Sequence, residues 1–486
     1  MILLLLLIPI LAALSFTLIS KEATLAKASV IWSTLVGILT IIISYPALTY
    51  HVSQTGQLWQ IGPFAAILIL LIGFVQWTAT LVSLPYLREE LHEQLITFGQ
   101  MRLYHILLQL FVLTMIMTLT ANSIGLMWIT LEGTTLATTL LVAFYGKKGS
   151  LEAAWKYIVI CSVGISLGLI GVLLVSYAVA NAHIGGNIDA LRWDTLKTIA
   201  QQLSPTTMRW AFAFIFVGYG AKIGLVPLHT WLPDAHGRTP SPISGMLSGL
   251  LLNVAFFAVL RYKGLVDSVL GETWWTNRLF LFFGALSFIV PIAFILMQRN
   301  YKRLLAYSSI EHMGFIVFCA GLGPLGLLPM MIHVIGHSLT KSLLFFGTGN
   351  ILLRWKSTKI ENIGPVMTSL PYTGTLFLIG LLALLATPPS PLFFSEYLAF
   401  SAAILQYPFV AILLLVAGTL ILAGTLRNLI PMLFSTTKDF IKKPIETWDI
   451  SHTAMTFHVI ALVILGIIFL NPSSHAYLQQ IAASLY

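Results

Sequence analysis

Long apolar stretches dominate the chain, near 2–19, 28–48, 63–84, 103–120, 121–145, 153–180, 207–231, 240–262, 277–297, 304–323, 325–352, 374–402, 406–434 and 452–470. Each approaches or exceeds the twenty or so residues that cross a hydrocarbon core about 30 Å thick. The pattern predicts an all-α polytopic membrane protein with about fourteen transmembrane helices. The first stretch lacks the basic residues that precede a signal h-region, since Lys21 and Lys27 follow it. It is expected to stay as a first span with its N-terminus outside.

Two segments are interrupted. The seventh runs into Pro227 and Pro233, and the twelfth contains Thr387, Pro388, Pro389, Ser390 and Pro391. Such runs remove amide donors and break a helix, which is tolerated at membrane depth only beside protein or a water-filled cavity. The breaks lie five segments apart. Two five-helix units follow, 103–262 and 277–434, each with its fourth helix broken, and an odd number of spans inverts the second unit relative to the first. Residues 1–102 form three helices ahead of the repeats, and 452–486 a last helix with a short tail. The polar stretch Asn181 to Arg209 reads as a surface cap.

Composition agrees with this reading. Of 486 residues 58% are apolar and only 9% are Asp, Glu, Lys or Arg, and the mean hydropathy is +0.91. A soluble surface needs far more charge, so soluble enzymes are excluded. The net charge of +9 comes from Lys and Arg in ones to threes between apolar runs. They read as interfacial anchors, and no nucleic-acid partner is expected. The odd-numbered connections hold 17 basic residues, among them Lys147, Lys148, Lys302, Lys438, Lys442 and Lys443, against 6 on the opposite side. That bias puts the odd connections in the cytoplasm and both termini on the outer, periplasmic side of an inner membrane. Cys161 and Cys319 stand alone in apolar stretches, which excludes disulfide frameworks, zinc sites and iron–sulfur clusters. The histidine spacing does not suit b-type haem, and no cofactor or metal is expected.

A charge near the bilayer centre costs about 2.5–3.5 kcal/mol even on the mildest scale, so those left inside segments are candidates for function. Glu132 lies in the fifth segment and Lys222 in the seventh, flanked by Gly218, Gly220 and Gly224 and followed by the break that carries His229. They read as a proton-handling pair on adjoining helices, against the plainer reading of a structural ion pair. His337 and Lys341, four apart, share a face of the eleventh segment; His312 sits beside Glu311 on the tenth, and Glu396 follows the second break. Imidazole relays protons near neutral pH, and the set reads as a proton wire parallel to the membrane.

Ala221-Lys222-Ile-Gly-Leu-Val-Pro227-Leu-His229-Thr-Trp231-Leu-Pro233-Asp234-Ala-His236, followed by Thr239-Pro240-Ser-Pro242-Ile-Ser244, closely resembles a signature of the antiporter-like proton-pumping subunits of respiratory complex I and its relatives. The resemblance continues through Lys302-Arg303 to Gly314 and His337 to Asn350, and covers about residues 100 to 435. Within this family the chain is most similar to the F-type membrane subunit of hydrogenase-4 and related membrane-bound hydrogenases. The resemblance implies a Glu–Lys couple at Glu132 and Lys222, and a polar axis through His312, His337 and Lys341 ending at Glu396.

It also implies a non-catalytic subunit of an oxidoreductase complex. Its partners would be other membrane subunits, including further antiporter-like ones, and a soluble redox or zinc-binding subunit. Two alternatives stand beside this: a subunit of a multi-subunit cation/proton antiporter, and the membrane half of an inorganic-carbon uptake system. The sequence departs from the family at Asn253, where many members carry Lys, and at Ser390, where relatives carry Gly. Asn253 is expected to hold a water between Lys222 and His312. With the tail to Tyr486 so short, the long lateral helix of the family's distal subunit is not expected.

Overall fold

A computed structural model describes residues 1–50, 54–182, 188–434 and 446–483. Lys438, Lys442, Lys443 and the end at Tyr486 lie outside the described residues, as does part of the expected cap after Asn181. In chain order the helices are α1 (Ile2–Thr17), α2 (Glu22–Tyr50), α3 (Pro63–His92), α4 (Phe98–Thr120), α5 (Ile124–Val142), α6 (Lys148–Asn181) and α7 (Trp193–Ile199). There follow α8 (Pro205–Ile223), α9 (Trp231–Arg238), α10 (Ser241–Met246), a π-helical stretch (Leu247–Leu251), α11 (Leu252–Leu270), α12 (Trp274–Ile289), α13 (Pro291–Met297) and α14 (Tyr301–Gly321). The remainder are α15 (Pro324–Trp355), α16 (Val366–Ser369), α17 (Pro371–Leu384), α18 (Pro391–Gln406), α19 (Pro408–Phe434), α20 (Ile450–Ile468) and α21 (Pro472–Ala483). Among the described residues, ten helical stretches are long and apolar enough to cross a membrane. The protein is a multi-pass, nearly all-helical membrane protein. Among the described residues the strands are a short antiparallel pair, β1 (Gln54–Thr55) with β2 (Gln60–Ile61).

Helix ends follow local chemistry. Thr97 and Gln100 form a capping box at the start of α4, which satisfies two of the amides a helix leaves orphaned. Ser390 caps α18, and Pro391 occupies the first turn, where no amide is needed. The first break differs from expectation in where it begins. α8 stops at Gly224, whose φ of 82° is left-handed, a conformation glycine adopts without steric cost. Pro227 lies in the non-helical stretch beyond it, and Pro233 falls inside the first turn of α9 rather than breaking anything.

α6 packs along α8 at close range: a Cβ on Gly218 would lie 2.5 Å from both Gly164 O and Gly168 N. The glycine beside Lys222 thus serves backbone contact, as such positions do between membrane helices. The most apolar windows of Ser241–Leu270 and Tyr301–Gly321 are wholly buried, whereas those of α2, α12–α13 and α19 are buried to only about a third. Polar chemistry therefore concentrates in α11, α14 and α15, at the centre of the helix bundle. Two basic residues counted as interfacial anchors are buried instead. Lys302 donates to Thr239 O at 2.7 Å, and Lys263 pairs with Asp267 at 2.6 Å. Near a segment's end, sequence alone does not separate an anchor from a buried helix-to-helix bond.

Candidate functional site

The first cluster lies on α5, α6 and α8. Glu132 is half-buried; it accepts from Ser162 Oγ at 3.0 Å through one oxygen and from Thr135 Oγ1 at 3.0 Å through the other. Lys222 is fully buried, and its Nζ donates to Thr135 Oγ1 and to Tyr157 Oη, both at 2.7 Å. Tyr157 Oη also meets Thr138 Oγ1 at 2.6 Å. Thr135 therefore accepts from the ammonium and donates to the carboxylate, joining the two charges without direct contact. α5 and α8 meet directly through the Lys222–Thr135 bond, and α6 packs against both and supplies Tyr157 and Ser162. These hydroxyls carry no sequence signal of their own, because Thr, Ser and Tyr are common in membrane helices and only their placement distinguishes these.

The second cluster spans α14, α15 and α18. Glu311 Oε2 lies 3.5 Å from His312 Nε2, His312 Nδ1 lies 2.9 Å from His333 Nε2, and His333 Nδ1 lies 2.8 Å from Ser395 Oγ. This run ends on the residue before Glu396, just past the second helix break. Glu311, His312, Ser308 and Glu396 line one cavity of about 230 Å³ beside α19. Lys341 Nζ donates to Leu305 O at 2.9 Å and to Ser308 Oγ, and so attaches to the same wall. The His337 ring lies 5.5 Å from that of His312, but neither of its nitrogens has a protein partner. His333 was absent from the candidates, yet its signal was present: His333, His337 and Lys341 recur every four residues and share a helix face.

Asn253, expected to hold a water between Lys222 and His312, is anchored through its Nδ2. Its Nδ2 donates to Gly249 O at 3.0 Å and Ser338 Oγ at 2.9 Å, while Oδ1 is buried without a partner. The amide thus connects the π-helical stretch to α15, one turn from both Val334 and Lys341. His229 lies in the first break, edge-on to Phe294 with ring centroids 6.3 Å apart, and its Nδ1 is unpartnered. It joins neither cluster. Among the described residues, His312, His333 and Glu396 each present a possible ligand atom within 4.8 Å of the others, so they could hold a metal. The two facing imidazole nitrogens are already engaged with each other.

Buried titratable groups joined by hydrogen bonds, next to helix breaks in an apolar bundle, define an antiporter-like, proton-translocating membrane subunit. Residues 121–422 match the family described as NADH:quinone oxidoreductase/Mrp antiporter, transmembrane, and the chain belongs to that family. It is similar to the hydrogenase-4 component F homolog of Methylacidiphilum infernorum, with 37% identity over 388 residues, 80% of this chain and 81% of that one. Its fold is similar to that of a chain in an archaeal membrane-bound sulfane sulfur reductase complex, with a TM-score of 0.86 at 23% identity over 100% of this chain and 97% of the other. It is likewise similar to a chain of respiratory complex I from Thermus thermophilus, with a TM-score of 0.82 at 20% identity over 100% and 99% of the two chains.

Proposed function

We propose that this chain moves protons within a complex-I-like redox assembly of the group-4 hydrogenase kind, through Glu132, Lys222, Asn253, His312, His337, Lys341 and Glu396, with His229 at the first break. The observation that carries the proposal is the run Glu311–His312–His333–Ser395 opening on the cavity that holds Glu396. Two imidazoles in hydrogen-bonded series accept and release protons, whereas sodium needs a cage of oxygens, and here nitrogen predominates. Redox chemistry belongs to partner subunits, and charge changes there act on the Glu132–Lys222 pair. Similarity to hydrogenase-4 component F favours the hydrogenase assembly over the antiporter and inorganic-carbon alternatives. Vesicles holding the purified complex should take up protons in step with redox turnover in sodium-free medium. Uptake that appears only when sodium is added would overturn the reading.

The same reading assigns fourteen spans, with inverted five-helix units at 103–262 and 277–434, flanked by 1–102 and 452–486. It is supported by the broken fourth helix of each unit, α8–α9 and α17–α18. The basic-residue bias places both termini outside an inner membrane. A thiol engineered at position 480 should react with an impermeant label applied from outside, and one at position 148 should not. The reverse pattern would remove the assigned orientation.

A further inference from the structure

On the face of the bundle formed by the connections after α2, α4 and α6, a cavity of about 80 Å³ is lined by residues from the start of α3, the end of α4, α7 and α11. None of its lining residues belongs to either cluster described above. Several polar groups around the cavity lack partners among the described residues, and those on its wall are donors, with the acceptor Asn122 Oδ1 unpartnered behind Trp193. Trp193 is buried, and its indole Nε1 has no acceptor. Phe64 and Ala65 are buried at the start of α3, after Pro63, and their amides have no acceptor among the described residues; Gly62, the cap residue, offers no side chain. Lys197 has no hydrogen-bond partner among the described residues.

Arg261 supplies the second charge. Its guanidinium donates to Ala121 O at 2.8 Å and Gln60 Oε1 at 2.9 Å and lies 4.4 Å from the centre of the Trp193 ring. These partners are neutral. The carboxylate on the cavity wall, Asp194, is already held by Arg192 at 2.5 and 3.1 Å and by the Thr195 amide at 2.9 Å. Desolvation and the charge of Arg261 push the Lys197 ammonium below its usual range, as follows when two cations face one pocket whose carboxylate, Asp194, is already engaged by Arg192.

A buried donor without an acceptor is costly. Several of them converging with two cations and a long helix's N-terminus make the inverse of a tetrahedral oxyanion. We propose that this cavity binds a phosphate group through Trp193 Nε1, the Phe64 and Ala65 amides, Lys197 and the free edge of Arg261. The phosphate has two sources: the phosphodiester of a phospholipid at this membrane face, or inorganic phosphate from solution. Basic pockets between membrane helices hold lipid headgroups by the same chemistry.

The test uses the full chain in its purified complex. Native mass spectrometry after reconstitution in phosphatidylglycerol nanodiscs should show a retained phospholipid that Arg261→Gln removes and Arg209→Gln, an exposed cation change, leaves in place. Trp193→Phe keeps the ring packing and deletes one N–H; it should weaken retention about tenfold, as loss of one hydrogen bond to a charged group does. In the second arm, delipidated complex is dialysed against radiolabelled inorganic phosphate. Saturable binding that is lost in Arg261→Gln, without lipid retention, identifies free phosphate as the ligand. Equal lipid retention and equal phosphate binding by the parent, Arg261→Gln and Trp193→Phe, with unchanged melting midpoints, would overturn the proposal.

Discussion

Lys222→Ala is expected to leave a complex that assembles and turns over its redox substrates but moves protons roughly tenfold less efficiently, or worse. Losing one member of a buried charged pair costs about 3–5 kcal/mol because the other is stranded. The geometry sharpens the test, since the two charges meet through Thr135 rather than directly. Thr135→Val preserves shape and both charges but removes the bridging hydroxyl, and a hydrogen bond to a charged group contributes about 1.5–3 kcal/mol. It should therefore reproduce much of the defect, whereas Glu132→Asp should retain part of the activity because the carboxylate survives. The measurement is proton uptake into vesicles, normalised to redox turnover and subunit content. Full pumping by both Thr135→Val and Glu132→Gln in assembled complex would make the pair a structural brace.

His333→Gln is expected to be nearly as damaging. A glutamine side chain can still hydrogen-bond toward His312 and Ser395, so packing and assembly should persist, but an amide does not take up the proton that an imidazole relays. General acid–base groups typically contribute a hundredfold or more to proton-transfer rates, and a loss of at least about tenfold in uptake per turnover follows. His337→Gln is the informative comparison, because His337 has no protein partner at either nitrogen. A defect confined to His337→Gln would place the route through space around His337 instead of along the His312–His333–Ser395 run.

Much of this arrangement was legible in the chain. Uninterrupted apolar length predicts the helices, and the proline-rich stretches mark both breaks, because missing amides are a local property that sequence records directly. Where the first helix stops was less legible: the left-handed Gly224 ends it, and any of the three glycines near Lys222 could have done so. Glu132, Lys222, His312 and Lys341 stood out because charge is rare in apolar runs. Thr135, Tyr157 and Ser162 did not, since a hydroxyl is inexpensive in a helix and becomes informative only when three helices bring it to a charge. His333 was readable by helical period alone. Lys302 and Lys263 were misread as anchors, because a basic residue near a segment's end has the same sequence context whether it turns to headgroups or to a neighbouring carbonyl.

The half-buried position of Glu132 carries a consequence for how the protein is made. Both carboxylate oxygens are held by this chain's own hydroxyls, yet part of the residue remains uncovered. Left against lipid, an acidic group at that depth is penalised by about 2.5–3.5 kcal/mol; against another protein surface, much of that penalty is relieved. A newly inserted copy without its neighbours therefore sits at a higher free energy than an incorporated one. Such a copy would be selectively cleared by membrane proteases, and the supply of neighbouring subunits would set its steady-state amount.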